Sequence, residues 1–217
     1  ASYRLQSITA AQAASYDGAV DSLSFGAGFA NQVTVLYLTG PEQVSVSYGG
    51  LSINFGPGLY GDLDLTFDSG ARLFVGGSGA DVALGGPGDD ALFMGAGADS
   101  VNGGDGADVL QGNQGADTLI GGAGNDSAFG GQDHDLILLG DGPDEANWAN
   151  GNKGQDTIVG AGGADTLLGG QDADLVMGGG GADFLNGNLG DDTIRGGAGA
   201  DTLIGEAGSD TLIGGDG

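Results

Sequence analysis

From residue 76 onward, apolar side chains recur at a fixed interval. One falls at the eighth place of every nine residues: Ala83, Leu92, Val101, Leu110, Leu119 and onward. An aspartate stands two places before each of them, and glycine dominates the first, second and fourth places. Side chains alternate along a strand, so these eighth residues point inward if each unit carries a short strand. Before residue 76 the pattern differs. Alternating or β-branched runs at 21–25, 32–39, 43–48, 51–55, 63–67 and 72–75 predict strands, punctuated by Gly-Gly, Gly-Pro, Asp-Gly and Ser-Gly. The Ala-rich stretch 7–16, with Thr9 as its cap, predicts a short helix. The expected fold class is all-β, with a small β-rich N-terminal domain over 1–75, serving for capping or assembly, and a repeat array over 76–217.

The array cuts into nonapeptides without a gap, from GGSGADVAL at residue 76 to GEAGSDTLI at residue 205, followed by the stub GGDG. Of fifteen complete repeats, one has twelve residues, LGDGPDEANWAN at 139–150. Read from its start, that repeat has Asp144 at the sixth place. The sixth place is then Asp in all fifteen, and the fourth is Gly in thirteen, with Asp133 and Asp172 in the other two. Gly fills the second place in ten, and Asn113, Asn152 and Asn188 take three of the rest. Asn and Asp are the side chains that best tolerate positive φ, so most exceptions keep one backbone rule.

Composition sharpens this. The chain of 217 residues holds 51 Gly, no Cys, one His, 4 Lys or Arg and 30 Asp or Glu, for a net charge of −26. So little basic surface excludes a nucleic-acid partner. No apolar run reaches the ~20 residues of a membrane span. The absence of Cys excludes disulfide frameworks and thiolate metal sites. The charge is uneven: 6 acids against Arg4 and Arg72 leave −4 on residues 1–75, and 24 acids against Lys153 and Arg195 leave −22 on the array. Such a chain repels itself until cations arrive.

The unit G-G-x-G-x-D-x-U-x resembles the RTX (repeats-in-toxin) calcium-binding nonapeptide of hemolysin-type proteins from Gram-negative bacteria, over about two thirds of the chain. The resemblance implies a six-residue turn and a three-residue strand per repeat, two repeats to a coil, and a right-handed parallel β-roll. Glycine carbonyls and aspartate carboxylates are hard oxygen donors suited to Ca²⁺. The expected metal ligands on one side of the roll are Asp81, Asp99, Asp117, Asp135, Asp156, Asp174, Asp192 and Asp210, making seven pairs of stacked turns. On the other side stand Asp90, Asp108, Asp126, Asp144, Asp165, Asp183 and Asp201, making six. One ion per pair gives about 13 Ca²⁺, whose charge nearly balances the array. Without calcium the segment is expected to be disordered.

A longer period runs through the array. GN turns begin at Gly112, Gly151 and Gly187, and GGQD turns at Gly130 and Gly169, so all fall on one side of the roll. Either a four-repeat block was duplicated or one decorated edge makes a lateral contact. Ninth places face outward, yet ten are apolar: Leu84, Phe93, Ile120, Phe129, Leu138, Val159, Leu168, Met177, Ile204 and Ile213. Trp148 is expected to point outward too. His134 reads as a solvated turn residue.

No zinc, nucleophile-elbow or phosphate-loop motif is present, and the chain is not expected to be an enzyme. The first sixteen residues lack a basic region followed by an apolar one. Export by a type I pathway to the cell surface or medium is what the resemblance implies. The chain stops inside a sixteenth repeat at Gly217, whose open edge invites pairing with another chain. Two functional readings follow. One is a structural subunit that self-associates head-to-tail into a filament, surface layer or biofilm matrix. The other is a calcium-triggered folding and secretion module of a larger effector or adhesin.

Overall fold

A computed structural model describes residues 71–140, 142 and 145–217, together with six strand backbones nearer the N-terminus. Those six are β1 (Ser2–Arg4), β2 (Ser22–Phe25), β3 (Thr34–Leu38), β4 (Gln43–Tyr48), β5 (Leu51–Phe55) and β6 (Leu63–Phe67), and β7 (Arg72–Val75) follows. The strands expected from 21–25 through 72–75 are present as β2 to β7. The predicted helix at 7–16 lies outside the described residues, and no helix occurs among those described.

The array folds as a parallel β-solenoid. Its strands are β8 (Val82–Pro87), β9 (Ala91–Phe93), β10 (Ser100–Asp105), β11 (Val109–Gln114), β12 (Thr118–Ala123), β13 (Ser127–Gln132), β14 (Leu136–Leu138) and β15 (Trp148–Lys153). Then come β16 (Thr157–Gly162), β17 (Thr166–Gln171), β18 (Leu175–Gly180), β19 (Phe184–Leu189), β20 (Thr193–Ala198), β21 (Thr202–Ala207) and β22 (Thr211–Asp216). Even-numbered strands from β8 to β22 form one eight-stranded sheet; odd-numbered strands from β7 to β21 belong to the other. Two repeats therefore make one coil, and partners are eighteen residues apart, as in Val101↔Leu119. Across the twelve-residue repeat the offset grows to twenty-one, as in Ser127↔Trp148 and Leu136↔Thr157.

Most full-length strands run from the seventh place of one repeat to the third of the next. The eighth and first places face inward and the seventh, ninth and second outward, as the alternating burial of β11 and its neighbours shows. The core is accordingly a single file of eighth-place side chains, from Leu92 through Val101, Leu110, Leu119, Ile137, Ile158, Leu167, Val176 and Leu185 to Ile194. Most first places are glycine, where a side chain would meet the aspartate of its own repeat and a backbone carbonyl of the next coil. Met94 and Leu139 are the described exceptions, and both are fully buried.

The second and fourth places turn the chain through left-handed backbone. Asn113, Asn152 and Asn188 have φ of 79°, 74° and 70°, and Asp133 and Asp172 have 72° and 75°. At Gly115 (φ 109°) a Cβ would also lie 2.6 Å from the Gly97 carbonyl carbon in the preceding coil, so stacking as well as conformation demands glycine there. Each Asn turn is braced by the amide two places earlier. Gln111 Nε2 donates to Asn113 Oδ1 at 2.6 Å, and the backbone NH groups of Asn152 and Asn188 donate to Asn150 and Asn186 Oδ1 at 2.9 Å. The strands leading into the GN and GGQD turns, β11, β13, β15, β17 and β19, all lie in one sheet.

That sheet continues into the N-terminal segment: β7 pairs antiparallel with β6, β6 parallel with β2, and β2 parallel with β1. Strands β3, β4 and β5 form a separate antiparallel sheet. Outward ninth-place residues are mostly half-buried; Leu84 and Ile213 are exposed, whereas Phe93 is buried. Trp148 is half-buried and packs against Phe129, with ring centroids 4.8 Å apart and planes tilted by 47°.

Candidate metal centre

The sixth-place residue ends each turn just before the chain enters a strand. Its Oδ1 accepts a hydrogen bond from the backbone NH of the sixth residue one coil earlier. Asp99 NH donates to Asp117 Oδ1 at 2.8 Å, and Asp117 NH to Asp135 Oδ1 at 2.9 Å. On the opposite side Asp90 NH donates to Asp108 Oδ1 at 2.8 Å and Asp108 NH to Asp126 Oδ1 at 3.0 Å. The ladder starts at Arg72 NH on Asp90 Oδ1, and reaches Asp201 on that side and Asp210 on the other. Aspartate suits this place because its short side chain reaches one coil and no further.

The second carboxylate oxygen is left over. In Asp90, Asp99, Asp108, Asp117, Asp126, Asp135, Asp156, Asp165, Asp174, Asp183 and Asp192, Oδ2 is buried without a hydrogen-bond partner. A buried, unpaired carboxylate oxygen is among the costliest groups a protein can hold. Asp81, Asp201 and Asp210, at the ends of the two rows, are half-exposed, and Asp81 Oδ2 accepts from Gly77 NH at 2.7 Å.

Beside the orphan oxygens of repeats that begin with glycine lies a small cradle. A Cβ placed on Gly112 would collide with Asp117 Oδ2 and would lie 2.6 Å from the carbonyl oxygen of Gly130 in the next coil. The same arrangement recurs at Gly103, Gly151, Gly160, Gly169 and Gly178, each with its own aspartate and the stacked glycine carbonyl. Glycine at the first place thus keeps a carboxylate oxygen and a carbonyl oxygen facing one space. Among the described residues no three acidic or histidine side chains converge. A cation would complete its shell from backbone carbonyls, which favours a hard ion that accepts many neutral oxygens, as Ca²⁺ does.

Electrostatics point the same way. Desolvation raises the carboxyls above their ordinary 3.8, partly opposed by the backbone NH bond and reinforced by like charges along the row. Asp117 and Asp126 rise to about 7, with Asp99 and Asp108 respectively among the neighbours that push them up. Asp90 rises to about 7, Asp108, Asp156 and Asp165 to about 6, and Asp135 and Asp174 to about 8. Asp99, Asp183 and Asp192 are raised as well, again chiefly by burial. Burial and like charges along each row disfavour the ionised carboxylates, and a bound cation would favour them.

Fourteen of the fifteen expected aspartates fall among the described residues, in two rows on opposite sides of the solenoid. Asp144 lies outside them. The ladder place expected for it is held by Asn147, whose Oδ1 accepts from Asp126 NH at 2.8 Å and whose NH donates to Asp165 Oδ1 at 2.8 Å. Likewise Ala149, not Ala146, is the buried eighth-place residue of that repeat. Counting the twelve-residue repeat backward from Gly151 instead of forward from Leu139 would have found both. His134 is exposed, and its Nδ1 accepts from Gln155 NH at 2.7 Å.

The family model for the RTX calcium-binding nonapeptide repeat, in four copies, fits residues 75–110, 102–137, 111–146, 141–176, 150–185 and 186–217. No individual curated protein matches the chain.

Proposed function

Since the chain belongs to the RTX calcium-binding nonapeptide-repeat family, with repeats matched from residue 75 to 217, we propose that it is a secreted structural protein whose β-roll assembles on extracellular calcium. The row of buried, unpartnered Oδ2 atoms carries this reading. Each ion would sit between stacked turns on one side, held by aspartate Oδ2 and by carbonyls such as that of the next first-place glycine. The chemistry calcium supplies there is charge neutralisation in a dry, carbonyl-lined space. Folding and metal binding are then one equilibrium, and low calcium inside a cell keeps the array unfolded until export, by the type I route common to such repeats. Far-UV circular dichroism tests it: the β signal is expected in millimolar calcium and lost in EGTA at pH 7.5. A chain fully folded at nanomolar free calcium would overturn it.

The roll reads as structural rather than catalytic. Self-association is supported by the outer face of the eight-stranded sheet. Ile120, Leu138 and Val159 form an apolar row there, with Gly122 and Ala161 lining a shallow groove of about 430 Å³. Head-to-tail assembly would join the strand-rich segment 1–75 of one copy to the last coil of another, a heterologous contact that propagates. Electron microscopy and light scattering in millimolar calcium should show filaments for the 217-residue chain and no filaments after deletion of residues 1–75, whatever lateral pairing the apolar row still gives. An intact chain that stays monomeric leaves the alternative, a folding and secretion module of a larger exported protein.

A further inference from the structure

One turn does not fit the metal that its neighbours fit. It spans 139–147, between β14 and β15, and departs from the other turns in three ways. The ladder residue is Asn147 rather than aspartate. It keeps both ladder hydrogen bonds but brings no charge, and its buried amide stands beside the Asp165 carboxylate, favouring that group's ionised form, where a second carboxylate stands in the other turns. The first place is Leu139, fully buried, so a side chain fills the space that glycine leaves open in the other turns. Met94 is the other such case, but its repeat keeps Asp99 with an orphan Oδ2. Among the described residues, only those of the 139–147 turn alter both halves of the cradle.

The third departure supplies a substitute. The Glu145 carboxylate bridges two coils: Oε1 accepts from Gly124 NH at 2.8 Å and Oε2 from Gly142 NH at 3.0 Å. The Glu145 carbonyl accepts from Ala164 NH in the following coil at 3.0 Å. Asn125 Oδ1 accepts from Ala146 NH at 2.8 Å, a link that Asp89 and Asp191 also make to the coils that follow them. The turn thus joins its neighbours through its own hydrogen bonds at a level where other turns leave carboxylate oxygens unpaired.

From the pairing of Asn147, Leu139 and Glu145 we infer that this turn is a calcium-independent splint that interrupts the ion row on its side of the roll. The inference rests on the calcium reading above. The row divides into Asp90, Asp108 and Asp126 before the splint, and Asp165, Asp183 and Asp201 after it. The row from Asp81 to Asp210 on the other side runs on unbroken. Of six same-side pairs, the two that include Asn147 are lost, so the roll takes up about eleven ions rather than thirteen. The splint also links the middle coils without an ion of its own, so the calcium-built coils on either side stack onto it.

Native mass spectrometry of the full chain in saturating calcium tests this, paired with calcium titration by circular dichroism. The wild-type chain is expected to hold about eleven ions. Leu139→Gly/Asn147→Asp, which rebuilds both halves of the cradle, should hold one or two more. Glu145→Gln keeps one acceptor and loses the bond from Gly142 NH. It should leave the ion count unchanged and raise the calcium midpoint several-fold. Asp144→Asn should leave the count unchanged. Thirteen ions on the wild-type chain would overturn the splint alone, as would loss of an ion in Glu145→Gln or Asp144→Asn, which would make either residue a ligand. No bound ions at all would overturn the splint together with the calcium reading.

Discussion

Lowering the pH should do part of the work of calcium. Asp117, lifted from 3.8 to about 7 chiefly by burial, costs roughly 4 kcal/mol when ionised inside the roll, at about 1.36 kcal/mol per pKa unit. A domain has about 5–15 kcal/mol of stability in total, so about two to four such carboxylates match it. Eleven aspartates share the raised direction. The folded carboxyls lie above their unfolded values, so their contribution is fully present below the unfolded value of 3.8. It is lost as pH rises through the folded values of about 6 to 8. A protonated carboxyl also becomes a donor, which a neighbouring backbone carbonyl can satisfy. Without calcium, then, the array should be unfolded at pH 7.5 and gain β structure steeply as pH falls toward 5. With calcium the dependence reverses, because the ion needs the carboxylates ionised and protons compete with it. The assay is far-UV circular dichroism from pH 8 to pH 4.5, in EGTA and in millimolar calcium. Light scattering guards against precipitation near the isoelectric point of about 4.1. Asp117→Asn should shift the EGTA midpoint upward and the calcium midpoint to higher calcium. A calcium-free chain that is folded at pH 7.5, or that stays unfolded to pH 4.5, would refute the reasoning.

Other consequences are local. Asp165→Ala or Asp183→Ala removes a carboxylate shared by two stacked turns, so calcium titration should show a midpoint several-fold higher, with new protease cleavage confined to the adjoining coils. Gly112→Ala places a methyl group in the cradle of Asp117 without a left-handed backbone to strain. It should weaken the roll by about 1–3 kcal/mol and raise the calcium midpoint, measured by urea unfolding at fixed calcium. Ile158→Ala opens a cavity in a core one residue wide and should cost about 2–5 kcal/mol in the same assay; a loss under 1 kcal/mol would count against the single-file core.

Most of the coil could be read from the chain because its determinants repeat within nine residues. The inward eighth places, the left-handed second and fourth places and the aspartate rows all follow from local spacing, and Leu119, Asn113 and Asp117 stand where that spacing puts them. Even the shared sheet of the GN and GGQD turns follows from counting coils. Residues whose roles depend on neighbouring coils could not be read this way. Forward counting gives Asp144 to the ladder, but an insertion is absorbed wherever stacking on both flanking coils allows, and that contact selects Asn147. The orphan Oδ2 atoms, and the lift they give to carboxyls such as Asp135 and Asp174, exist only once eighteen-residue stacking has removed water and lined up like charges. Leu139 and Met94 look like lapses from the glycine rule until the fold shows their side chains in the core. The continuity of β6 and β7 with the roll is likewise a property of paired backbones, which no local pattern encodes. What the chain determines alone is therefore the unit and its chemistry. The registration of one unit on the next, and with it the charge that must be neutralised, belongs to the tertiary structure, because burial and carboxylate proximity arise between coils rather than within them.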